Sequence, residues 1–173
     1  NGDRAIELLR DAADTLRTQL DDPGRAAIML QRILDRAPTD ILALERLEEI
    51  YQSMDDPNVL EELYEHWLGV ADNEITRIDI NWRYAYLLVD RVKDNNVALD
   101  RLEAILALDP SHEDTIGLLR SWARVENHNV GPELKRRAID ILDYQTNFKE
   151  SDEDHAVLLQ AKAFLHDFPL LSH

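Results

Sequence analysis

The sequence predicts an all-α protein, and three features support this prediction. Apolar residues recur three and four positions apart, as in Leu102, Ile105 and Leu106, which is the spacing of one face of an α-helix. No segment alternates apolar and polar residues over the length of a strand. Glycine and proline are scarce, at five and six residues, and five of the prolines stand at the start or just past the end of helical segments. The chain is therefore expected to consist of helices joined by short connections.

Several of the expected helices have their own start or stop signal. Pro23, Pro57 and Pro132 open segments, because a proline at the first helical position loses no hydrogen bond. Asp22 and Asp56 precede two of these prolines and are expected to cap the free N–H groups. The other two informative prolines follow helices and stop them, namely Pro38 and Pro110. The nine expected helices cover about residues 3–20, 23–37, 40–54, 57–71, 74–92, 95–108, 112–126, 131–145 and 152–167.

The chain also repeats itself. The tripeptide Asp21-Asp22-Pro23 recurs 34 residues later as Asp55-Asp56-Pro57. At an offset of 72, which is two periods of 34 plus four inserted residues near 70–76, a longer pattern recurs. In that pattern Ala26, Leu30, Ile33, Leu34 and Pro38 align with Ala98, Leu102, Ile105, Leu106 and Pro110.

A 34-residue unit of two helices, in which a small residue opens the second helix and large apolar residues follow at four and seven positions, resembles the tetratricopeptide repeat. The resemblance implies a right-handed α-solenoid of about four repeats in one domain, residues 1–173. Those repeats would cover about 3–38, 39–72, 73–110 and 111–145, followed by a C-terminal helix at 152–167. Trp82 and Tyr51 match the aromatic positions of the family once each.

The chain departs from that family at one position of each first helix. A small residue is expected midway along it, and this chain has Asp14, Glu48, Tyr86 and Arg120 there. The larger side chains predict helix pairs that sit farther apart, and they leave related α-solenoid repeats open.

Composition excludes several classes of function. The chain carries 19 Lys and Arg against 35 Asp and Glu, and its net charge of −16 argues against nucleic acid and anionic membranes as partners. It has no cysteine, which removes disulfides, thiolate metal sites and cysteine nucleophiles. No apolar run approaches the roughly 18–20 residues that span a bilayer.

The sequence also lacks the usual patterns of enzymes. Its six histidines do not fall at the i, i+4 spacing that places two imidazoles on one metal. The glycines are isolated and form no phosphate-binding loop, and no serine lies in a nucleophile elbow. We therefore predict a protein that is not an enzyme and that uses no cofactor and no metal.

Helical repeats normally hold a partner in the concave groove that their first helices line. We predict a protein–protein interaction scaffold that binds a peptide or a helical segment, either basic or amphipathic, because the groove positions are mostly acidic or apolar. Tyr84 is the aromatic residue expected to contact the ligand. The expected groove residues are Glu45, Glu49 and Gln52 in the second repeat, Arg83, Tyr84, Leu87 and Asp90 in the third, and Ser121 and Arg124 in the fourth.

Two alternatives stay open. The chain starts at Asn1 without Met, and its ninth expected helix is apolar and has no partner helix. Both features favour a regulatory or assembly segment of a larger multidomain protein that packs on its own neighbouring domain, and the ninth helix also leaves a homo-oligomer open. A small-molecule-sensing helical domain is the second alternative.

Localisation and origin have only weak signals. Cytoplasm is the default localisation, unless the segment belongs to a larger exported protein. Arginine exceeds lysine and aspartate exceeds glutamate, a bias typical of high-GC or salt-adapted bacteria.

Overall fold

A computed structural model describes residues 2–54, 56–124, 127 and 130–146. These residues form helices and connections without any strand, which confirms the predicted all-α class for this part of the chain. The expected helix at 152–167 lies outside the described residues. The helices are α1 (Gly2–Thr18), α2 (Pro23–Leu34), α3 (Ile41–Ser53), α4 (Pro57–Val70), α5 (Glu74–Leu87), α6 (Asn95–Leu108), α7 (Glu113–Ala123) and α8 (Pro132–Thr146).

Aspartate side chains start several of these helices. Asp22, Asp40, Asp56 and Asp94 each accept a hydrogen bond from a backbone N–H in the first turn of α2, α3, α4 and α6, at 2.9–3.1 Å. The predicted caps at Asp22 and Asp56 are thus confirmed. Since an N-cap contributes about 0.5–2 kcal/mol, part of the chain's acidity stabilises helix ends.

The expected helix at 74–92 does not stay α-helical to its end. It continues from α5 as a π-helical turn over Leu88–Val92. The carbonyl of Leu88 accepts hydrogen bonds from the N–H groups of Lys93 and Asp94, five and six residues later, so the last turn is widened. Lys93 then ends the helix in the left-handed conformation, with a φ of 64°.

The chain divides into two compact units, with the division between Ile80 and Asn81 inside α5. In the first unit α1 packs on α2, α2 on α3 and α3 on α4. In the second unit α7 packs on α8, and α6 contacts both of them. The four repeat boundaries and the solenoid arrangement stay predictions.

The pattern that recurs at an offset of 72 forms the core of both units. Four apolar residues of α2 are at most 9% exposed, and their four counterparts on α6 are at most 1% exposed. Because they follow a helical spacing, each set forms one continuous buried stripe. The residues are Ala26, Leu30, Ile33 and Leu34 on α2, and Ala98, Leu102, Ile105 and Leu106 on α6.

Glu48 and Asp14 stand where the tetratricopeptide pattern expects a small residue, and each binds a neighbouring helix. Glu48 of α3 is buried and accepts a hydrogen bond of 2.6 Å from the Tyr64 hydroxyl of α4. Asp14 of α1 forms an ion pair with Arg46 of α3. A buried carboxylate needs such a donor, because burial removes its hydrogen bonds to water.

Candidate interaction surface

Two ion pairs join α1 to α3. Arg10 donates to Asp40 at 2.7 Å, and Arg46 donates to Asp14. The pairs occur in the same order along both helices, residue 10 with 40 and residue 14 with 46, so α1 and α3 lie side by side and run in the same direction.

Acidic side chains are exposed on both helices of this pair. Of the expected groove residues, Glu45, Glu49 and Gln52 are all exposed, and their i, i+4, i+7 spacing places them on one face of α3. Glu7 and Asp11 are also exposed and lie one turn apart on α1. We call Glu7, Asp11, Glu45 and Glu49 the acidic face.

The expected groove residues of the second unit are placed differently. Arg83 is half-buried and Asp90 is exposed, whereas Tyr84 and Leu87 are only 4% and 5% exposed. The guanidinium of Arg101 on α6 stacks 4.8 Å from the centre of the Tyr84 ring. The expectation that Tyr84 and Leu87 offer a contact surface is therefore not met, since both side chains already pack inside their unit.

The exposed tyrosine of this helix is Tyr86 and not the expected Tyr84. Tyr86 is 65% exposed and lies about 160° around the helix from Tyr84. The signal was present, because Tyr84 lies four residues after Ile80 and four before Leu88, and both of these are fully buried.

The last two expected groove residues lie at the end of α7. The Ser121 hydroxyl donates to the carbonyl of Leu118 at 2.7 Å, and the carbonyl of Ser121 accepts from the Asn127 side chain at 3.0 Å. Arg124 is exposed and follows the last residue of the helix. Ser121 is thus engaged locally, while Arg124 is open to solvent.

A crevice of about 430 Å³ separates α2 from α4 in the first unit. Side chains of α2 and α4 form its walls, and Leu47 and Tyr51 of α3 form its floor. The Tyr51 hydroxyl accepts a hydrogen bond of 2.6 Å from the Gln31 side chain. The wall residues are Ile28, Gln31, Arg32 and Leu34 on α2, Asp35 just after it, and Val59, Glu62, Leu63 and His66 on α4.

Burial raises the pKa of Tyr51 above its usual value near 10. The hydrogen bond from Gln31 lowers the pKa in part, and the negative charge of Glu62 raises it further. The folded state therefore holds the phenolic proton more tightly than the unfolded state does. The contribution of the Tyr51 hydroxyl to stability is complete below its pKa in the unfolded chain. It is lost as the pH rises through its pKa in the folded chain.

We expect Tyr51→Phe to reduce the loss of stability at alkaline pH, because phenylalanine has no proton to release. The measurement is the free energy of unfolding from urea denaturation, at about pH 8 and about pH 11, for both proteins. The wild type should lose more stability between these pH values than the variant. Equal losses would show that Tyr51 ionises as easily in the folded chain as in the unfolded one.

Within the described residues, no three His, Asp or Glu side chains come close enough together to hold a metal ion. In the same part of the chain, no helix combines the length and the apolar character needed to cross a lipid bilayer. Comparison with protein-family models, curated proteins and solved structures finds no match to this chain.

Proposed function

We propose that this chain is a non-catalytic protein–protein interaction scaffold that binds a basic segment of a partner protein on the acidic face of α1 and α3. The observation that carries the proposal is the exposure of four carboxylates, Glu7, Asp11, Glu45 and Glu49, on two helices that lie side by side. The non-catalytic part rests on the sequence, which has no cysteine nucleophile, phosphate loop or nucleophile elbow.

The position of the acidic face supports binding by charge. None of its carboxylates takes part in the two ion pairs that join the helices, so those pairs do not neutralise the face. Carboxylates one turn apart repel each other by a few tenths of a kcal/mol on an isolated helix. A cationic partner relieves that repulsion, and long-range attraction speeds its association.

The proposal includes the arrangement of the helices in four tetratricopeptide-like repeats. Four tetratricopeptide-like repeats would place the first helices side by side, as α1 and α3 already are. Tyr86 and Asp90 are exposed in the second unit and replace Tyr84 and Leu87 as contact residues there.

The proposal is tested by reversing charge on the acidic face. Glu45→Lys with Glu49→Lys should weaken binding of a fluorescent helical peptide of alanine and lysine by at least about tenfold, because it reverses the charge that attracts the peptide. Neither side chain is buried, so the fold should not change. Fluorescence anisotropy gives the Kd, and the affinity of the wild type should fall as salt is raised because exposed charges are screened. Circular dichroism should show unchanged helix content.

The matched control carries the same change in charge elsewhere. Glu103→Lys with Asp140→Lys replaces two exposed acids on α6 and α8. It should alter the Kd far less than the reversal on the acidic face. If both pairs weaken binding equally, net charge attracts the peptide and the acidic face is not a binding site.

A further inference from the structure

We propose that the crevice between α2 and α4 is a second binding site of the first unit, which takes a large apolar side chain from a lysine- or arginine-bearing helix of a partner protein. It lies on a different side of α3 from the acidic face. Leu47 and Tyr51 on its floor follow Glu45 and Glu49 by two residues, which is roughly 160° around the helix. Either site can therefore exist without the other.

The crevice offers apolar surface that the fold itself leaves open. Ile28 stands on its rim and is 47% exposed, although α2 has buried positions on its other face. Leu34, Leu47 and Leu63 also line it and are buried. A volume of 430 Å³ lies within the roughly 300–1,000 Å³ of typical ligand sites, and an apolar side chain placed there would cover Ile28.

The equivalent position in the second unit carries a charged pair. At the offset of 72, Ile28 corresponds to Asp100 on α6. Asp100 accepts a hydrogen bond of 2.6 Å from Arg137 on α8, which ties these two helices together at the surface. The first unit has an isoleucine where this charged pair would begin, so its two helices keep an apolar crevice between them.

The polar groups of the crevice indicate the chemistry of the partner. Two carboxylates, Asp35 and Glu62, and one guanidinium, Arg32, line the crevice, so its excess charge is negative. Lysine or arginine pairs with these carboxylates, and an apolar side chain one turn away packs against the leucines of the crevice. Helices with this pattern bind by setting their apolar residues into grooves.

The test compares two fluorescent helical peptides that differ in apolar content alone. One carries leucine at i, i+3, i+4 and i+7 with lysine on both flanks, and the other has alanine in place of leucine. On the wild-type chain the leucine peptide should bind at least about tenfold tighter. Ile28→Asp, which copies the residue of the second unit, should abolish this advantage with unchanged helix content. Ile75→Asp, the same change at another exposed isoleucine, should preserve it.

The outcomes separate this inference from the proposed function. Glu45→Lys with Glu49→Lys should weaken both peptides and keep the advantage of leucine. If that pair removes the advantage and Ile28→Asp does not, the apolar side chain binds at the acidic face and the inference is overturned while the proposed function stands. Equal binding of the two peptides by the wild type also overturns it. An advantage that only Ile28→Asp removes supports the crevice even where the acidic face fails its own test.

Discussion

Leu102→Ala is expected to lower the free energy of unfolding by about 2–5 kcal/mol. The Leu102 side chain is 0% exposed and lies in the buried stripe of α6, between Ala98 and Ile105. Truncation removes apolar surface that folding had buried, and it leaves a cavity that a packed core closes only in part. Urea denaturation followed by circular dichroism measures the loss.

The same substitution can be made at the equivalent position of α2. Leu30 is the counterpart of Leu102 on α2 and is 2% exposed, so Leu30→Ala should give a loss of similar size. Ile75→Ala is the control on an exposed side chain and should change stability by less than about 0.5 kcal/mol. A loss below about 1 kcal/mol at both leucines would contradict a close-packed stripe.

Tyr64→Phe should cost about 1.5–3 kcal/mol, the range for a hydrogen bond to a charged group. The Tyr64 hydroxyl donates to the Glu48 carboxylate at 2.6 Å, and both side chains are buried. Phenylalanine keeps the ring and its packing while it removes the donor. The buried carboxylate then loses a hydrogen bond that water does not replace.

The control for this prediction removes a hydroxyl from an exposed tyrosine. Tyr86→Phe makes the same chemical change at a side chain that is 65% exposed, and it should leave stability within about 0.5 kcal/mol of the wild type. If Tyr64→Phe is equally neutral, the hydrogen bond to Glu48 is not what holds α3 against α4. Thermal or urea unfolding of the three proteins under one set of conditions decides between these results.

Much of the local structure could be predicted because its causes are local. The prolines at 23, 57 and 132 open α2, α4 and α8 as expected, and Asp22 and Asp56 cap the first two of these helices. Each signal acts within one turn of the chain, through a missing N–H or a side chain that accepts a nearby one. The apolar spacing of α2 and α6 likewise identified their buried stripes before any packing partner was known.

The candidate surface was predictable only where a helix has one clear exposed side. Glu45, Glu49 and Gln52 lie on the exposed face of α3 as expected. On α5 we expected Tyr84 at the surface, but Tyr84 is buried and Tyr86 is exposed. Four residues are inserted near 70–76, so the alignment of the repeat pattern on α5 depends on where the insertion is placed. An error of one position turns the expected exposed face of the helix by about 100°.

The sequence by itself thus determined that this chain is helical, where most of its helices begin and which stripes of α2 and α6 are buried. Three features depend on the tertiary structure alone: the ion pair of Asp14 with Arg46, the hydrogen bond that Glu48 accepts from the Tyr64 hydroxyl, and the crevice beside Ile28. The physical reason is the range of the interactions. Capping and periodicity act between residues a few positions apart, whereas ion pairs, buried hydrogen bonds and crevices depend on which helices become neighbours and at what rotation.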